Sequence, residues 1–429
     1  MMICRNKAFI FLSIVVFVAV YSQNGWAQQN WTHFRGNNLD GISGATKVPI
    51  HWNDSTNIVW KADIAGRGWS SPVVFGKQVW ITTAAPDGSD MKAVCFDLGS
   101  GKEVFNIILF NPDSVQKKHS INTYATPTCA IEKGFVYATF GTYGTACVST
   151  TDGKVIWKRT DLNCDHVQGS GSSLLIYKEL LIVHCEGTDV QYIAGLDKAS
   201  GKTVWKTDRP KEVYDPLPWI GKKAYVTPII VRVKGKDMLI SNGSAVCIAY
   251  DPETGEEIWR IRQGIDSTIA MPGSEDGMVF FYSSFVHPAE GEDYAELIAV
   301  NPDGKGDIAA TNILWRHKSP ILQLLTPLIY KGLIYTVDAQ NNLMCLDTKT
   351  GQIQFSRKLK SKYHSSPVYA GGYIYFTSIK GETMVIKPGR EGVVVAENKL
   401  PGEVFATPAI VENSILLRTD RGLYRIGNN

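Results

Sequence analysis

Histidines, carboxylates and aromatic residues collect in the segments that separate the short apolar runs of this chain. His119, His166, His184, His287, His317 and His364 lie in or beside those segments, together with Tyr225, Asp266, Tyr363 and Phe405. Imidazole ligates metals and titrates near neutral pH, and aromatic faces interspersed with polar groups suit a polar ligand such as a glycan. The spacing argues against a preformed metal centre, because no two histidines stand as H-x-H or H-x-x-x-H and no CxxC occurs. The stretch DHVQGSGSS at 165–173 is rich in Gly and Ser, but it lacks the Lys and the following helix of a phosphate loop. Nucleophile-elbow, HExxH and kinase signatures are absent. The candidate ligand face is therefore Arg67, Trp69, Asn122, Tyr124, Asp165, His166, His184, Glu186, His364 and Arg418, with no catalytic residue and no metal ligand assigned.

These residues need a scaffold, and a repeated phrase indicates which one. DLGSGKEVF, TTDGKVIW, DKASGKTVW, DPETGEEIW and DTKTGQIQF place Gly101, Gly153, Gly201, Gly255 and Gly351 four residues before Phe105, Trp157, Trp205, Trp259 and Phe355. Glycine at that point suits the left-handed position of a tight turn between two strands, and the aromatic packs between neighbouring sheets. A second phrase, a small residue and Pro followed by alternating apolar residues, opens SSPVV, ATPTC, VTPII, MPGSE, LTPLI, SSPVY and ATPAI; SSLLI at Ser172 is the copy without Pro. Eight such starts stand ~40 to 55 residues apart, the period of propeller blades. The last copy ends after its third strand, and NIVWKADI around Trp60 supplies the missing one. The expected fold is all-β, an eight-bladed β-propeller of four-stranded blades whose ring is closed by that N-terminal strand. NPDGKGDIAATNILW is stretched in the fifth blade, and IKPGREGVVVAENK in the seventh has no aromatic. In this architecture the loops entering each first strand and those between second and third strands surround the central funnel, which places the candidate ligand face there.

Arg5 and Lys7 precede the apolar run Ala8–Val20, and Gly25-Trp26-Ala27 offers small residues for cleavage. Residues 1–27 read as a secretory signal peptide, 28–56 as an N-terminal segment and 57–429 as the propeller. With no cysteine after the apolar run to accept lipid, a soluble periplasmic or secreted monomer without a transmembrane segment is expected. Removing residues 1–27 takes away two basic residues and no acidic one, so the formal charge falls from +3 to +1. A surface so close to neutral matches neither nucleic acid nor anionic lipid. Seven cysteines remain, most of them inside strands such as KAVCFD and LMCLD, where they act as small apolar side chains; Cys164 lies in a loop.

The phrase D-x-x-T-G-x-x-x-W, with the opening WTHFRGNNLDG and IVWKADIAGRGWSSPVV, resembles the quinoprotein-type (PQQ-like) propeller repeats over essentially the whole mature chain. That superfamily includes quinoprotein alcohol dehydrogenases and BamB, the propeller subunit of the outer-membrane barrel assembly machine. The dehydrogenase branch implies pyrroloquinoline quinone with calcium under two adjacent cysteines, and no Cys-Cys pair occurs here. The resemblance thus implies a non-catalytic propeller without a cofactor that binds a protein partner, polymer or glycan; a quinone-dependent dehydrogenase or a carbohydrate-active enzyme is the alternative. The long loops ILFNPDSVQKKHSINTYA and DRPKEVYDPLPWIGKKAYV, the latter with Trp219, are the candidate docking surfaces.

Overall fold

The computed structural model describes residues 30–288, 290–319 and 324–428, so the proposed signal peptide lies outside the described residues. Eight sheets follow one another around a central axis, each with four antiparallel strands, and the fourth gains a short parallel fifth strand from the next blade. Their inner strands begin at Val73, Ala130, Leu175, Ile229, Gly273, Leu328, Val368 and Ala409. Blade 8 contributes Ala409–Val411, Ser414–Arg418 and Gly422–Ile426, and Ile58–Asp63 pairs with the last of these as its outer strand. The ring is thus closed by the two ends of the chain, with Lys61 opposite Tyr424 and Trp60 opposite Arg425.

Two features of the repeated phrase account for the blade-to-blade packing. The turn glycines have φ of +70° at Gly101, +71° at Gly153 and Gly201, +73° at Gly255 and +69° at Gly351. Each also lies against the aromatic of the preceding blade: a Cβ at Gly201 would sit 2.7 Å from the Trp157 ring, and one at Gly101 2.6 Å from Trp60. Three of these indoles donate into the neighbouring blade, Trp60 Nε1 to Leu98 O (2.8 Å), Trp157 Nε1 to Lys198 O (3.0 Å) and Trp315 Nε1 to Thr348 O (2.9 Å). Within its own blade the aromatic faces a small residue at a register shift: Phe105 opposite Cys95, Trp157 opposite Cys147, Trp205 opposite Gly195, Trp259 opposite Ala249 and Phe355 opposite Cys345. Cysteine occurs there because its volume leaves room for the ring, and all seven cysteines of the described residues are buried thiols.

Blades 5 and 7 depart from this pattern in defined ways. The stretched turn of blade 5 lays Gly306–Asp307 parallel to the outer strand of blade 4, opposite Trp259 and Arg260, before a one-turn helix, Ala309–Asn312. In blade 7 Ala396 takes the aromatic position opposite Val385.

Residues 30–57 cross the face opposite the entry loops and seal the axis. Trp31 bridges to Val74 of blade 1, Thr32 O accepts Ile131 N of blade 2 (2.9 Å), and His33 Nε2 accepts Ile176 N of blade 3 (3.1 Å). Arg35, 1% exposed, donates to Pro367 O (3.1 Å) and Pro327 O (3.1 Å) of blades 7 and 6. Gly41, Ser43 and Ala45 then run along the inner strand of blade 7, and Trp52 is buried against Tyr375. Thr46 N donates to Asn413 Oδ1 of blade 8 (3.1 Å), so one short segment ties together six of the eight blades.

Candidate functional site

At the throat of the ring, each blade presents its residue just ahead of the inner strand. Ser71 N donates to Thr128 Oγ1 (2.9 Å), Thr128 N to Ser173 Oγ (3.0 Å) and Ser173 N to Thr227 Oγ1 (2.9 Å). On the other side Met271 N donates to Thr326 Oγ1 (3.1 Å), Thr326 N to Ser366 Oγ (3.0 Å), Ser366 N to Thr407 Oγ1 (3.0 Å) and Thr407 N back to Ser71 Oγ (2.9 Å). Seven hydroxyls thus circle the axis in a chain of blade-to-blade hydrogen bonds, broken only where Met271 has no hydroxyl to offer Thr227 N. In blade 2 the hydroxyl belongs to Thr128, after Pro127, so the phrase ATPTC is offset by two residues from its counterparts.

These eight residues form the floor of a funnel of about 620 Å³, with Phe34 of the N-terminal segment among its lining. Its wall carries Trp69, His119, Asn122, Gln168, Tyr225, Asp266, Asn341, Tyr363, His364 and Phe405. The ring of Trp69 stacks on Phe405 at 4.4 Å and its Nε1 donates to Ile121 O (2.9 Å); His364 meets Phe405 edge-on at 5.0 Å. Burial holds the His364 imidazole neutral by lowering its pKa to about 4. Arg67 lies on the rim, over the Trp69 ring at 5.3 Å and 3.6 Å from Glu403.

Other residues of the expected ligand face serve the loops that build the funnel. Asn122 Nδ2 donates to Gln168 O (2.8 Å) and Ser170 O (3.2 Å), clamping two entry loops together. Tyr124 packs edge-on against Tyr143 with Lys118 over its ring, outside the funnel lining. Asp165 accepts from Val167 N (3.1 Å) and Thr188 Oγ1 (3.2 Å), stapling a turn. His166 is 3% exposed behind the wall, near Cys164 Sγ (3.5 Å), and burial lowers its pKa to about 4. His184 and Glu186 sit between blades 3 and 4, where Glu186 meets His184 Nε2 (2.8 Å), Arg209 Nε (2.9 Å), Ser244 N (2.7 Å) and the Tyr214 hydroxyl. Arg418 is buried behind Ser70, donating to Ser70 Oγ (2.6 Å) and Thr82 O (2.8 Å); desolvation lowers its pKa to about 9. His317 occupies the outer strand of blade 5 and His287 pairs with Asp293 (2.9 Å), so neither reaches the axis. The hydroxyl ring is the feature sequence reasoning passed over: Ser or Thr stands before Pro at five of its seven positions, but that these five meet at the axis with Thr128 and Ser173 is a property of the packed ring.

The funnel does not fit a quinone held over calcium. Its two carboxylates are engaged separately, Asp266 with Lys223 Nζ and Ser267 Oγ (2.6 Å), Asp338 with Asn342 N and Nδ2 (both 2.8 Å). Among the described residues no three His, Cys, Asp or Glu side chains converge, whereas calcium takes ~6 to 8 oxygens with clustered carboxylates. Cys164 and Cys129, like the other described thiols, are buried outside the lining, and burial pushes Cys129 up to about 12.

A family model described as outer membrane protein assembly factor BamB matches residues 50–211, 189–320 and 304–392. The chain belongs to the BamB family. BamB of Marinobacter adhaerens is 29% identical over 91 residues, 21% of this chain and 23% of that protein. BamB of Nitrosomonas eutropha is 26% identical over 129 residues, 30% of each chain. The matched stretches span less than a third of these relatives' lengths. The crystal structure of BamB from Moraxella catarrhalis aligns with a TM-score of 0.58 and 13% identity, covering 86% of this chain and 98% of the other. A quinohemoprotein alcohol dehydrogenase from Comamonas testosteroni reaches 0.62 with 11% identity, covering 93% and 81%. At such identities the structural likeness shows the propeller fold, and the funnel of this BamB-family chain has to be read from its own residues.

Proposed function

We propose that this BamB-family propeller is an exported, non-catalytic binding protein of the cell envelope that docks a protein partner during outer-membrane protein assembly. The observation that carries the reading is the entry loop of blade 4. Trp219 is 61% exposed there, following Pro218 at the start of a short turn, Trp219–Lys222, on the funnel side of the ring. A large aromatic held outward by a fixed turn is the kind of anchor that dominates protein–protein interfaces. The same loop is fastened from below: Ser244 Oγ donates to Gly221 O and Asp266 N does likewise (3.2 Å), so the ring is presented on a rigid base. The name of its relatives supplies the assembly role, and the segment 1–27 supplies export.

The test is deletion of the gene in the source cell, followed by quantifying folded β-barrel proteins in the outer membrane. Their amount is expected to fall, to recover with the unaltered gene, and to recover only in part with Trp219→Ala. Unchanged barrel levels after deletion would remove the assembly role.

A further inference from the structure

We infer that the funnel is a binding site for a neutral saccharide, whose oxygens accept from the ring of throat hydroxyls while its carbon face packs against the aromatic wall. Each of the seven ring oxygens accepts a backbone N–H from the preceding blade, which fixes its position. A Ser or Thr hydroxyl still holds one donor hydrogen. For none of the seven does that hydrogen find an acceptor among the described residues. All seven are 5% exposed or less, and all line the cavity. Facing the cavity, these hydrogens are left for an oxygen supplied by whatever occupies the funnel, water or ligand.

The wall decides what kind. Its carboxylates, Asp266 and Asp338, are matched in number by Lys223 and Lys362, which leaves no excess charge to select an ion. No hydrogen bond within the described residues engages the His364 imidazole, and burial keeps it neutral. The amide of Asn341 likewise stands free on the lining. Tyr363 and Phe405 add apolar surface beside these groups. Uncharged donors and acceptors beside aromatic faces suit a ligand with many hydroxyls and a nonpolar flank, and about 620 Å³ is within the size of small-molecule sites. The site makes no use of Trp219, so it stands or falls separately from the assembly role.

The experiment is calorimetric titration of the purified mature protein with glucose, N-acetylglucosamine, cellobiose and chitobiose, with glucuronate and glucosamine as charged comparisons and Trp fluorescence followed in parallel. Saturable one-to-one binding of a neutral sugar is expected. Thr326→Val is expected to weaken it about tenfold, the effect of roughly one lost hydrogen bond. Because Thr326→Val also removes the acceptor for Met271 N, Asn341→Ala, which lies off the ring, is measured beside it and should weaken binding comparably, whereas Trp219→Ala should leave it unchanged. Absence of binding by all four neutral sugars up to about 10 mM, a Kd range typical of only very weak contacts, overturns the proposal. Binding of glucuronate or glucosamine alone, or full affinity in both Thr326→Val and Asn341→Ala, does so as well.

Discussion

Glu186 has no access to water, and its two oxygens meet His184, Arg209, Tyr214 and the Ser244 amide. Gly243 is required beside it, since a Cβ there would fall 2.4 Å from Glu186 Oε2. A buried cation left without its counter-charge is strongly destabilising, so Glu186→Gln, which keeps the shape and removes the charge from Arg209, is expected to cost about 3–5 kcal/mol in urea unfolding. A second expectation concerns pH. His33 and His166 are buried and their pKa values are lowered to about 4 from an ordinary 6.5, in both cases chiefly by desolvation. The unfolded chain therefore binds more protons between pH 6.5 and 4, and stability falls as pH drops through that window while staying level above it. Each histidine contributes at most about 3 kcal/mol to that loss. Urea midpoints at pH 7.5, 6, 5 and 4.5 should show the decline, and His33→Asn with His166→Gln should make it shallower, leaving the share due to His364, which is lowered to about 4 in the same way.

Strand-to-strand turns carry the repeat at the scale of the element. Gly201 and Gly134 both have positive φ, +71° and +90°, but only Gly201 faces a neighbouring ring; around Gly134 there is open space. Gly134→Ala is expected to cost about 1 kcal/mol for the backbone alone. Gly201→Ala adds displacement of the Trp157 ring and should cost at least about twice as much, measured by equilibrium unfolding. Equal costs would mean that the ring yields freely and that the repeat glycine is there only for the turn. The turn glycine and the aromatic after it were legible in the sequence because they stand four residues apart in every copy, whereas the small residue opposite the aromatic emerged from the strand register. The entry loops were not legible in the same way. Asn122 and Asp165 have the composition of binding residues, yet their side chains are consumed in holding one loop to the next.

The whole molecule is held shut by its N-terminal region. Ile58–Asp63 completes blade 8, and residues 30–57 bury Trp31, Arg35 and Trp52 against the far face. A chain beginning at residue 64 would leave blade 8 with three strands and an unpaired edge at Gly422–Ile426, a template for association with other copies. Size-exclusion chromatography of that truncation is expected to show multimers or aggregate. A monodisperse monomer with unchanged melting would show that the closing strand is dispensable.

Blade number, ring closure by the strand around Trp60, the left-handed glycines and the cysteines as small core residues were all determined by the sequence on its own. Each follows from a local pattern repeated often enough to read its period. Only the tertiary structure decided which loop residues reach the axis. His364, Trp69 and Tyr225 stand on the funnel lining, while His166, His184, Glu186 and Arg418 of similar chemistry are buried behind it. The hydroxyl ring and the sealing of the far face by residues 30–57 belong to the same class. The physical reason is that distance from the axis is set by eight segments remote in sequence packing around a common centre, and no periodicity within one segment records it.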